Sequence, residues 1–145
     1  MQVTSQAELA TVVPAGGVFY LQEYLDRGGP PYRDWRVLVV AGRARFAMER
    51  VSAHWVTNRA QGAACIAARL TPAMAAVAED AATALEVDYA GIDLMRDSRE
   101  RWTIGEVNGV PAWWGLSQAT GADVTAVLVD AFISKLNAAP DAGAD

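Results

Sequence analysis

Two strand-like runs separated by a short polar stretch restrict the fold of this chain more than any other feature. The run "YAGIDLMRD" covers 89–97, the run "RWTIGEVNG" covers 101–109, and only three residues separate them. A connection this short joins antiparallel strands, because parallel strands need a crossover of a dozen or more residues. The sequence therefore predicts a β-hairpin here.

The second strand of this hairpin carries an acid and an amide on one face. Alternation along the strand puts Ile104, Glu106 and Asn108 on the same side. A tight turn pairs Asp93 with a position between 104 and 106, so that Asp, Glu and Asn converge on one patch. These hard oxygen donors suit Mg²⁺ better than zinc. The spacing alone leaves a second interpretation open, in which both acids are solvated on an exposed sheet face.

Periodicity and turn signals predict the other elements. The expected order is a short helix begun by Ser5 and Glu8, a strand at 18–25, a hairpin across 35–52 that turns at Ala41-Gly42, a loop at 53–65, a helix begun by Thr71-Pro72, the hairpin at 89–109 and a C-terminal helix. The apolar helix faces are Met74, Val77, Ala78, Ala81 and Leu85, then Val124, Val127, Leu128, Ala131, Phe132 and Leu136. This order predicts an α+β fold with a largely antiparallel sheet.

Composition excludes several classes of function. A chain of 145 residues suits one domain, and a formal net charge of -5 argues against nucleic-acid binding, which needs a basic face. No apolar run approaches the roughly 18 residues of a membrane span, and no signal peptide is visible. The single cysteine, Cys65, cannot form an internal disulfide, and a nucleophilic role for it or for His54 lacks a supporting third group. We therefore expect a cytoplasmic protein that binds neither nucleic acid nor membrane.

Four segments, in chain order, resemble one enzyme family. They are "VFYLQEYL", "DWRVLVVAGRARFAMERVS", "HWVTNRAQGA" and "GIDLM…IGEVNGVPAWWGL". They resemble the nucleotide hinge, the following hairpin, the loop before the long helix and the metal-binding end of ATP-grasp ligases. The similarity is to the branch that contains ribosomal S6 glutamate ligase (RimK) and the LysX enzymes of lysine biosynthesis. It covers residues 18–137 and implies the C-terminal lobe of that fold, a mainly antiparallel sheet flanked by helices.

The resemblance implies a role for each matching residue. ATP and Mg²⁺, with Mn²⁺ as a substitute, are the implied cofactors. The implied metal ligands are Asp93, Glu106 and Asn108. The implied catalytic residues, which would contact phosphate and an acyl phosphate, are Arg36 and Arg50. The implied nucleotide-binding residues are Gln22, Glu23, Tyr24, Leu25 and Asn58. The alternatives are an ordinary strand at 22–25 and surface arginines on the hairpin, and the surface interpretation is preferred for Arg43 and Arg45.

The resemblance also implies the chemistry. Enzymes of this family phosphorylate a carboxylate with the γ-phosphate of ATP, and an amine then displaces phosphate to form an amide. The expected partners are therefore a nucleotide, a small carboxylate and a small amine. An alternative is a catalytically degenerate module that kept the fold, and a further alternative is an unrelated α+β domain.

The sequence departs from the family in ways that affect these expectations. Gln61 stands where many relatives have Arg, and Ala63 where Gly is usual. Only 17 residues precede the hinge, and no lysine precedes Lys135, whereas the family's small lobe supplies phosphate-binding lysines. We divide the chain into a remnant of the small lobe with the hinge (1–25), the C-terminal lobe (26–137) and a flexible tail (138–145). We expect the chain to need a partner chain or to self-associate.

Overall fold

A computed structural model describes residues 1–138 and contains a five-stranded sheet with helices on both faces. The elements are α1 (Gln6–Thr11), β1 (Tyr32–Val40), β2 (Arg43–Ser52), a 3₁₀ turn (Arg59–Gln61), β3 (Ala64–Ala68), α2 (Pro72–Ala84), β4 (Tyr89–Arg96), β5 (Trp102–Asn108), α3 (Trp114–Thr120) and α4 (Val124–Ala138). The strands lie in the order β3-β2-β1-β4-β5, and every neighbouring pair is antiparallel. The predicted α+β fold with an antiparallel sheet is confirmed.

The central strand β1 is buried on both faces, which explains its unbroken apolar run. Val37 and Val39 pack with α2 in one core, whereas Leu38 and Val40 belong to a second core under α3 and α4. Alternation along the strand sends successive side chains to opposite faces, so a strand covered on both sides is apolar at every position. The sheet is therefore the middle of three layers.

Helix α2 begins where the sequence predicts. The Thr71 hydroxyl oxygen accepts the backbone N–H of Met74 at 3.2 Å, and Pro72 occupies the first helical position. The predicted apolar face packs on the sheet, with one correction. Leu85 follows the last helical residue and is 57% exposed, because the helix ends before its side chain can turn toward the core.

The C-terminal region differs from the prediction. Helix α3 is absent from the predicted order, because its N-cap residue Trp113 makes no side-chain capping hydrogen bond and so leaves no start signal in the sequence. In α4, the second core takes Val124, Val127, Leu128 and Ala131. Phe132 and Leu136, predicted on the same face, are 62% and 54% exposed. Of the predicted flexible tail, Ala138 is the last residue of α4, and 139–145 lie outside the described residues.

Two other predicted segments need correction. Residues 18–25 form no strand and make only an isolated bridge between Ala15 and Val18. A β-prone sequence needs a neighbour with which to pair, and none lies beside this segment in residues 1–138. The predicted loop at 53–65 contains the 3₁₀ turn, and its end already belongs to the edge strand β3.

None of the helices within residues 1–138 is by itself long and apolar enough to cross a membrane. The pair formed by α3 and α4 reaches the required length and composition together, with a bend of 116° between the two.

The β4–β5 hairpin has the predicted pairing and an irregularity within it. Asp93 lies opposite Glu106, and Leu94 lies opposite Ile104, so β5 has one extra residue, Gly105, between the two pairs. An extra residue in one strand shifts the alternation beyond it. Ile104 therefore pairs with a core residue of the α2 face and does not share the face of Glu106, which corrects the simple alternation expected from the sequence.

Candidate functional site

The sheet face beneath α3 and α4 changes from apolar to charged along β1. Leu38 and Val40 belong to the second core, and alternation puts Arg36 and Asp34 on the same face further toward the strand's start. Arg36 lies opposite Asp93 on β4, and Asp34 lies opposite Arg50 on β2. The antiparallel register thus puts two acids and two arginines side by side.

These side chains form one continuous chain of hydrogen bonds. Arg36 donates from Nε to Asp93 Oδ1 at 2.7 Å and from Nη2 to Asp93 Oδ2 at 2.8 Å. Arg50 donates from Nη2 to Asp93 Oδ2 at 2.8 Å, and from Nε and Nη2 to the two oxygens of Asp34 at 2.5 and 2.9 Å. The Thr57 hydroxyl also donates to Asp34. The network links the strand-borne charges to the loop after β2.

Arg50 is the centre of this network and stays charged. Its side chain is only 6% exposed. Burial by itself disfavours the charged guanidinium, but the hydrogen bond to Asp34 and the charges of Asp93 and Asp34 outweigh it and raise the pKa of Arg50 above its ordinary value. A buried ion pair of this kind is stable only while both partners remain, because removal of one leaves an unpaired buried charge.

The three predicted metal ligands share this face. Asp93 and Glu106 are direct cross-strand partners, and Asn108 lies two residues further along β5, opposite Gly91. Direct partners in an antiparallel pair point to the same side. The pairing expected from the sequence is confirmed, whereas the role of these residues as metal ligands stays a prediction.

Each of the three retains an oxygen able to accept a cation. Asp93 accepts three N–H donors, one on Oδ1 and two on Oδ2, out of roughly four sites on a carboxylate. Asn108 Oδ1 accepts the backbone N–H of Val110 at 2.9 Å, which leaves its second lone pair. Glu106 is exposed and accepts no hydrogen bond within residues 1–138. Two carboxylates and an amide fit Mg²⁺, which keeps waters or phosphates as its other ligands.

The described residues hold no group of three or more His, Cys, Asp and Glu side chains arranged to bind a metal. The predicted set is of a different kind, since one of its three members is an amide. It also requires ligands from outside the protein to complete a coordination shell.

The segment after Asn108 folds back across β4 at a glycine. A Cβ at Gly91 would lie 2.8 Å from Pro111 Cβ, so only glycine leaves room for this crossing. The Tyr89 hydroxyl donates to the Pro111 carbonyl oxygen at 2.9 Å, and the Tyr89 ring meets Trp113 edge-on at 6.1 Å. The crossing fixes the backbone that follows Asn108.

A cavity of about 690 Å³ is bordered mainly by the N-terminal part of the chain. The predicted hinge residues line it, and so do the N-terminal segment, Trp55 and Met95. The lining hinge residues are Gln22, Glu23, Tyr24 and Leu25. Met95 lies on β4 two residues beyond Asp93, which corresponds to about 7 Å along a strand. The hinge segment thus forms no strand, yet it borders a cavity close to the predicted metal ligands.

The loop that carries Asn58 closes another side of the charged face. Asn58 is exposed, immediately follows Thr57 and precedes the 3₁₀ turn. The Arg59 guanidinium lies over the Trp114 ring, 4.0 Å from its centroid, and Gly115 leaves space for the Arg59 stem. This cation–π contact joins the loop to the start of α3. Gln61, where the family resemblance implies an arginine, is exposed on the same loop.

The structure brings together most of the predicted residues and adds others. One face gathers Arg36, Arg50, Asp93, Glu106 and Asn108, while Gln22–Leu25 lie at the cavity and Asn58 on the adjoining loop. Sequence reasoning missed Asp34, Thr57 and Trp55. A signal for Asp34 was present, because it stands two residues before Arg36 and alternation puts both on one face of the strand.

Comparison with known proteins places this geometry in a family. Residues 5–132 match the RimK-like ATP-grasp domain, and the chain belongs to that family. A tetrahydromethanopterin:alpha-L-glutamate ligase of Methanococcus maripaludis is 33% identical over 122 residues, which cover 84% of this chain and 41% of that protein. A probable alpha-L-glutamate ligase 2 of Pseudoalteromonas atlantica is 35% identical over 123 residues, covering 83% of this chain and 39% of that protein.

Solved structures agree on the fold. The ATP-grasp ligase PsnB complexed with minimal precursor has a TM-score of 0.63 at 20% identity, over 79% of this chain and 37% of that one. The macrocyclase MdnB from Microcystis aeruginosa has a TM-score of 0.54 at 18% identity, over 70% of this chain and 37% of that one. The chain spans about two fifths of the length of the relatives it matches.

Proposed function

We propose that this chain is the ATP- and Mg²⁺-binding portion of an ATP-dependent carboxylate–amine ligase that acts through an acyl phosphate. The observation that carries the proposal is the convergence of Asp93, Glu106 and Asn108 with two arginines on one sheet face, in a chain of the RimK-like ATP-grasp family. Relatives named as alpha-L-glutamate ligases support an amino acid of the glutamate type as one substrate.

We infer the orientation of a bound nucleotide from the position of the cavity. An adenine in the cavity would meet the backbone of Gln22–Leu25 and the side chains of Trp55 and Met95. The phosphates would then extend along β4 toward Asp93 and Asn108. A triphosphate spans the distance of two strand residues, about 7 Å, without difficulty. The acidic side chain of Glu23, which lines the cavity, would accept hydrogen bonds from the ribose.

The residues of this chain would act mainly by positioning and charge. Asp93, Glu106 and Asn108 would hold Mg²⁺, which neutralises charge on the phosphates when bound. Arg36, whose side chain is 15% exposed, would donate N–H groups toward the transferring phosphoryl group while it keeps Asp93 oriented. Arg50 would add a fixed positive charge from beneath, because its donors are already shared between Asp34 and Asp93. Asn58 would contact nucleotide or substrate from the adjoining loop.

A catalytically degenerate binding module is the second candidate. It is favoured by Gln61, which replaces the arginine of many relatives on the loop that closes the site, and by Ala63, which is buried at the position of a usual glycine. Such a module would bind nucleotide with Mg²⁺ and release no phosphate.

Calorimetry with ADP and ATP, with and without Mg²⁺, tests the proposal. We expect weak binding that strengthens with Mg²⁺ and is lost in Asp93→Asn. Arg45→Ala, which changes an exposed residue of β2, serves as a control and leaves binding unchanged. Nucleotide binding that is indifferent to Mg²⁺, or no binding at all, would contradict the proposal. Phosphate release after fusion to a related small lobe separates the ligase from the degenerate module.

A further inference from the structure

We infer that Asp34 is a positioning residue that accepts the bidentate edge of Arg50, so that Asp93 accepts only one N–H from Arg50 and keeps one oxygen site free for a divalent cation. The inference rests on the proposed function, because it takes Asp93 as a metal ligand. Asp34 is not among the predicted metal ligands, and it makes no hydrogen bond to Glu106 or Asn108 within the described residues.

The N–H donors of Arg50 are divided between Asp34 and Asp93. Arg50 directs Nε and one Nη2 N–H to Asp34, at 2.5 and 2.9 Å, and a second Nη2 N–H to Asp93 at 2.8 Å. Asp34 therefore accepts the bidentate edge of the guanidinium, and Asp93 accepts a single N–H from it. Paired geometry of this kind is the strongest that arginine forms with a carboxylate.

One acceptor site remains on Asp93. Arg36 already occupies both oxygens of Asp93 once, and the Arg50 N–H adds a second bond on Oδ2. The free site is on Oδ1. If Arg50 lost its partner Asp34, the nearest anion able to accept its bidentate edge would be Asp93. A bidentate Arg50–Asp93 pair would take the last site on Asp93 and leave a cation only Glu106 and Asn108.

The charge balance of the site also depends on Asp34. The five charged groups Asp34, Arg36, Arg50, Asp93 and Glu106 carry a formal sum of -1, from three acids and two arginines. Neutralising Asp34 brings that sum to zero, which removes the negative potential that favours a cation. Because Asp34 is 5% exposed, solvent screens this charge less than it screens a surface acid.

Thr57 connects Asp34 to the loop that follows β2. Its hydroxyl donates to Asp34, and Thr57 is itself buried next to exposed Asn58. An asparagine at position 34 would keep an acceptor for Thr57 and would match the shape of aspartate. The charge of Asp34 can thus be removed with little change in packing.

The test measures Mn²⁺ binding to the 145-residue chain in the presence of ADP, by the paramagnetic resonance signal of free Mn²⁺. We expect Asp34→Asn to bind Mn²⁺ about tenfold more weakly than the parent, which corresponds to the loss of one charge-assisted contact. Glu49→Gln is the matched control, since Glu49 is the neighbour of Arg50 on β2 and pairs instead with Arg33. It removes the same charge from β2, the strand that pairs with β1, and should leave Mn²⁺ affinity unchanged.

A double variant separates positioning from a general effect on structure. In Asp34→Asn/Arg50→Gln, no guanidinium competes for Asp93, so we expect Mn²⁺ affinity to return to that of the parent or above it. Thermal unfolding of each variant reports folding. If Asp34→Asn alone does not fold, the double variant, which removes both members of the buried pair, carries the test by itself.

Each outcome decides the matter. Equal Mn²⁺ affinity for Asp34→Asn and the parent, or equal weakening in Asp34→Asn and Glu49→Gln, overturns the inference while the proposed function stands. If Asp34→Asn folds, a double variant that binds Mn²⁺ as weakly as Asp34→Asn also overturns the inference. If Asp34→Asn does not fold, a double variant that binds Mn²⁺ more weakly than the parent overturns it. A parent chain that binds no Mn²⁺ with ADP overturns the proposed function and the inference together.

Discussion

Asp93 links the two arginines of the site to the other predicted metal ligands. Arginines approach it from β1 and β2, and Glu106 faces it across the β4–β5 pair. Three N–H donors offset the cost of burying a carboxylate, which is otherwise large. The same donors also limit how Asp93 can bind a cation, because a single oxygen site remains. Metal affinity and ion pairing are therefore coupled at this position.

Glu106 gives the most direct test at the residue scale. It is exposed and makes no ion pair within residues 1–138, so Glu106→Gln should leave the thermal midpoint unchanged or raise it by relieving repulsion with Asp93. In a protein whose cleft is completed by a related small lobe, the same change should slow phosphate release about a hundredfold, since a lost metal ligand weakens charge stabilisation in the transition state. Unfolding of this variant, or unchanged turnover, would make Glu106 a structural residue.

The sequence predicts some residues of the site better than others. Asp93, Glu106 and Asn108 follow from the alternation of a hairpin and from the resemblance to a family. Ile104 was assigned to the wrong face, because the extra residue in β5 is invisible in a simple alternating pattern. Asp34 was missed because its partner Arg50 is 16 residues away, and only the β1–β2 register brings them together.

The segment that follows β5 crosses over β4 at Gly91, and a substitution at Gly91 tests how closely the two are packed. Gly91→Ala would put a Cβ 2.8 Å from Pro111 Cβ, so the crossing must shift. Overpacking of this kind costs about 1–3 kcal/mol. Gly109→Ala is the matched control, because a Cβ there meets nothing within 4 Å. Chemical denaturation of both variants should show a loss of stability for Gly91→Ala alone, and equal stability would mean that the crossing is pliable.

Two of the N-capped helices, α1 and α2, provide a second contrast between elements. Thr71 accepts the N–H of Met74 at 3.2 Å, and Ser5 accepts the N–H of Glu8 at 3.1 Å. Helix α2 buries four residues, whereas α1 buries none. We therefore expect Thr71→Ala to lower the free energy of unfolding by about 1 kcal/mol and Ser5→Ala to leave it unchanged. Equal losses in denaturant titrations would show that α1 is part of the cooperative unit.

These elements also show which features can be predicted from a few neighbouring residues. The turn at Ala41-Gly42 and the start of α2 depend on residues a few positions apart, and both were predicted. The segment at 18–25 has the composition of a strand, but a strand exists only with a partner, and composition does not reveal whether one is present. Helix α3 lacks a capping side chain and is only seven residues long, so its packing on β2 and β3 rather than its sequence defines it.

At the scale of the whole molecule, many apolar side chains lie outside the two cores and are exposed. Exposed apolar side chains gather in the segment before and within the predicted hinge and along α4. The hinge surface consists of Val13, Val18, Phe19, Tyr20 and Leu21, and the α4 stripe consists of Val129, Phe132, Ile133 and Leu136. The stripe has the spacing of one helical face, opposite the side that packs on the sheet. Trp113 and Trp114 are 36% and 56% exposed, and the Arg59 guanidinium lies over the Trp114 ring.

We expect the isolated chain to self-associate through such surface, because contiguous exposed apolar patches drive association. Phe132→Glu puts a charge in the middle of the α4 stripe and should shift sedimentation toward the monomer and reduce the binding of an apolar dye. Leu85→Glu is the control, since Leu85 is similarly exposed, at 57%, but stands alone at the end of α2. The association should persist in high salt, which screens charges and strengthens apolar contacts. A monodisperse parent chain at high concentration, with no dye binding, would contradict the prediction.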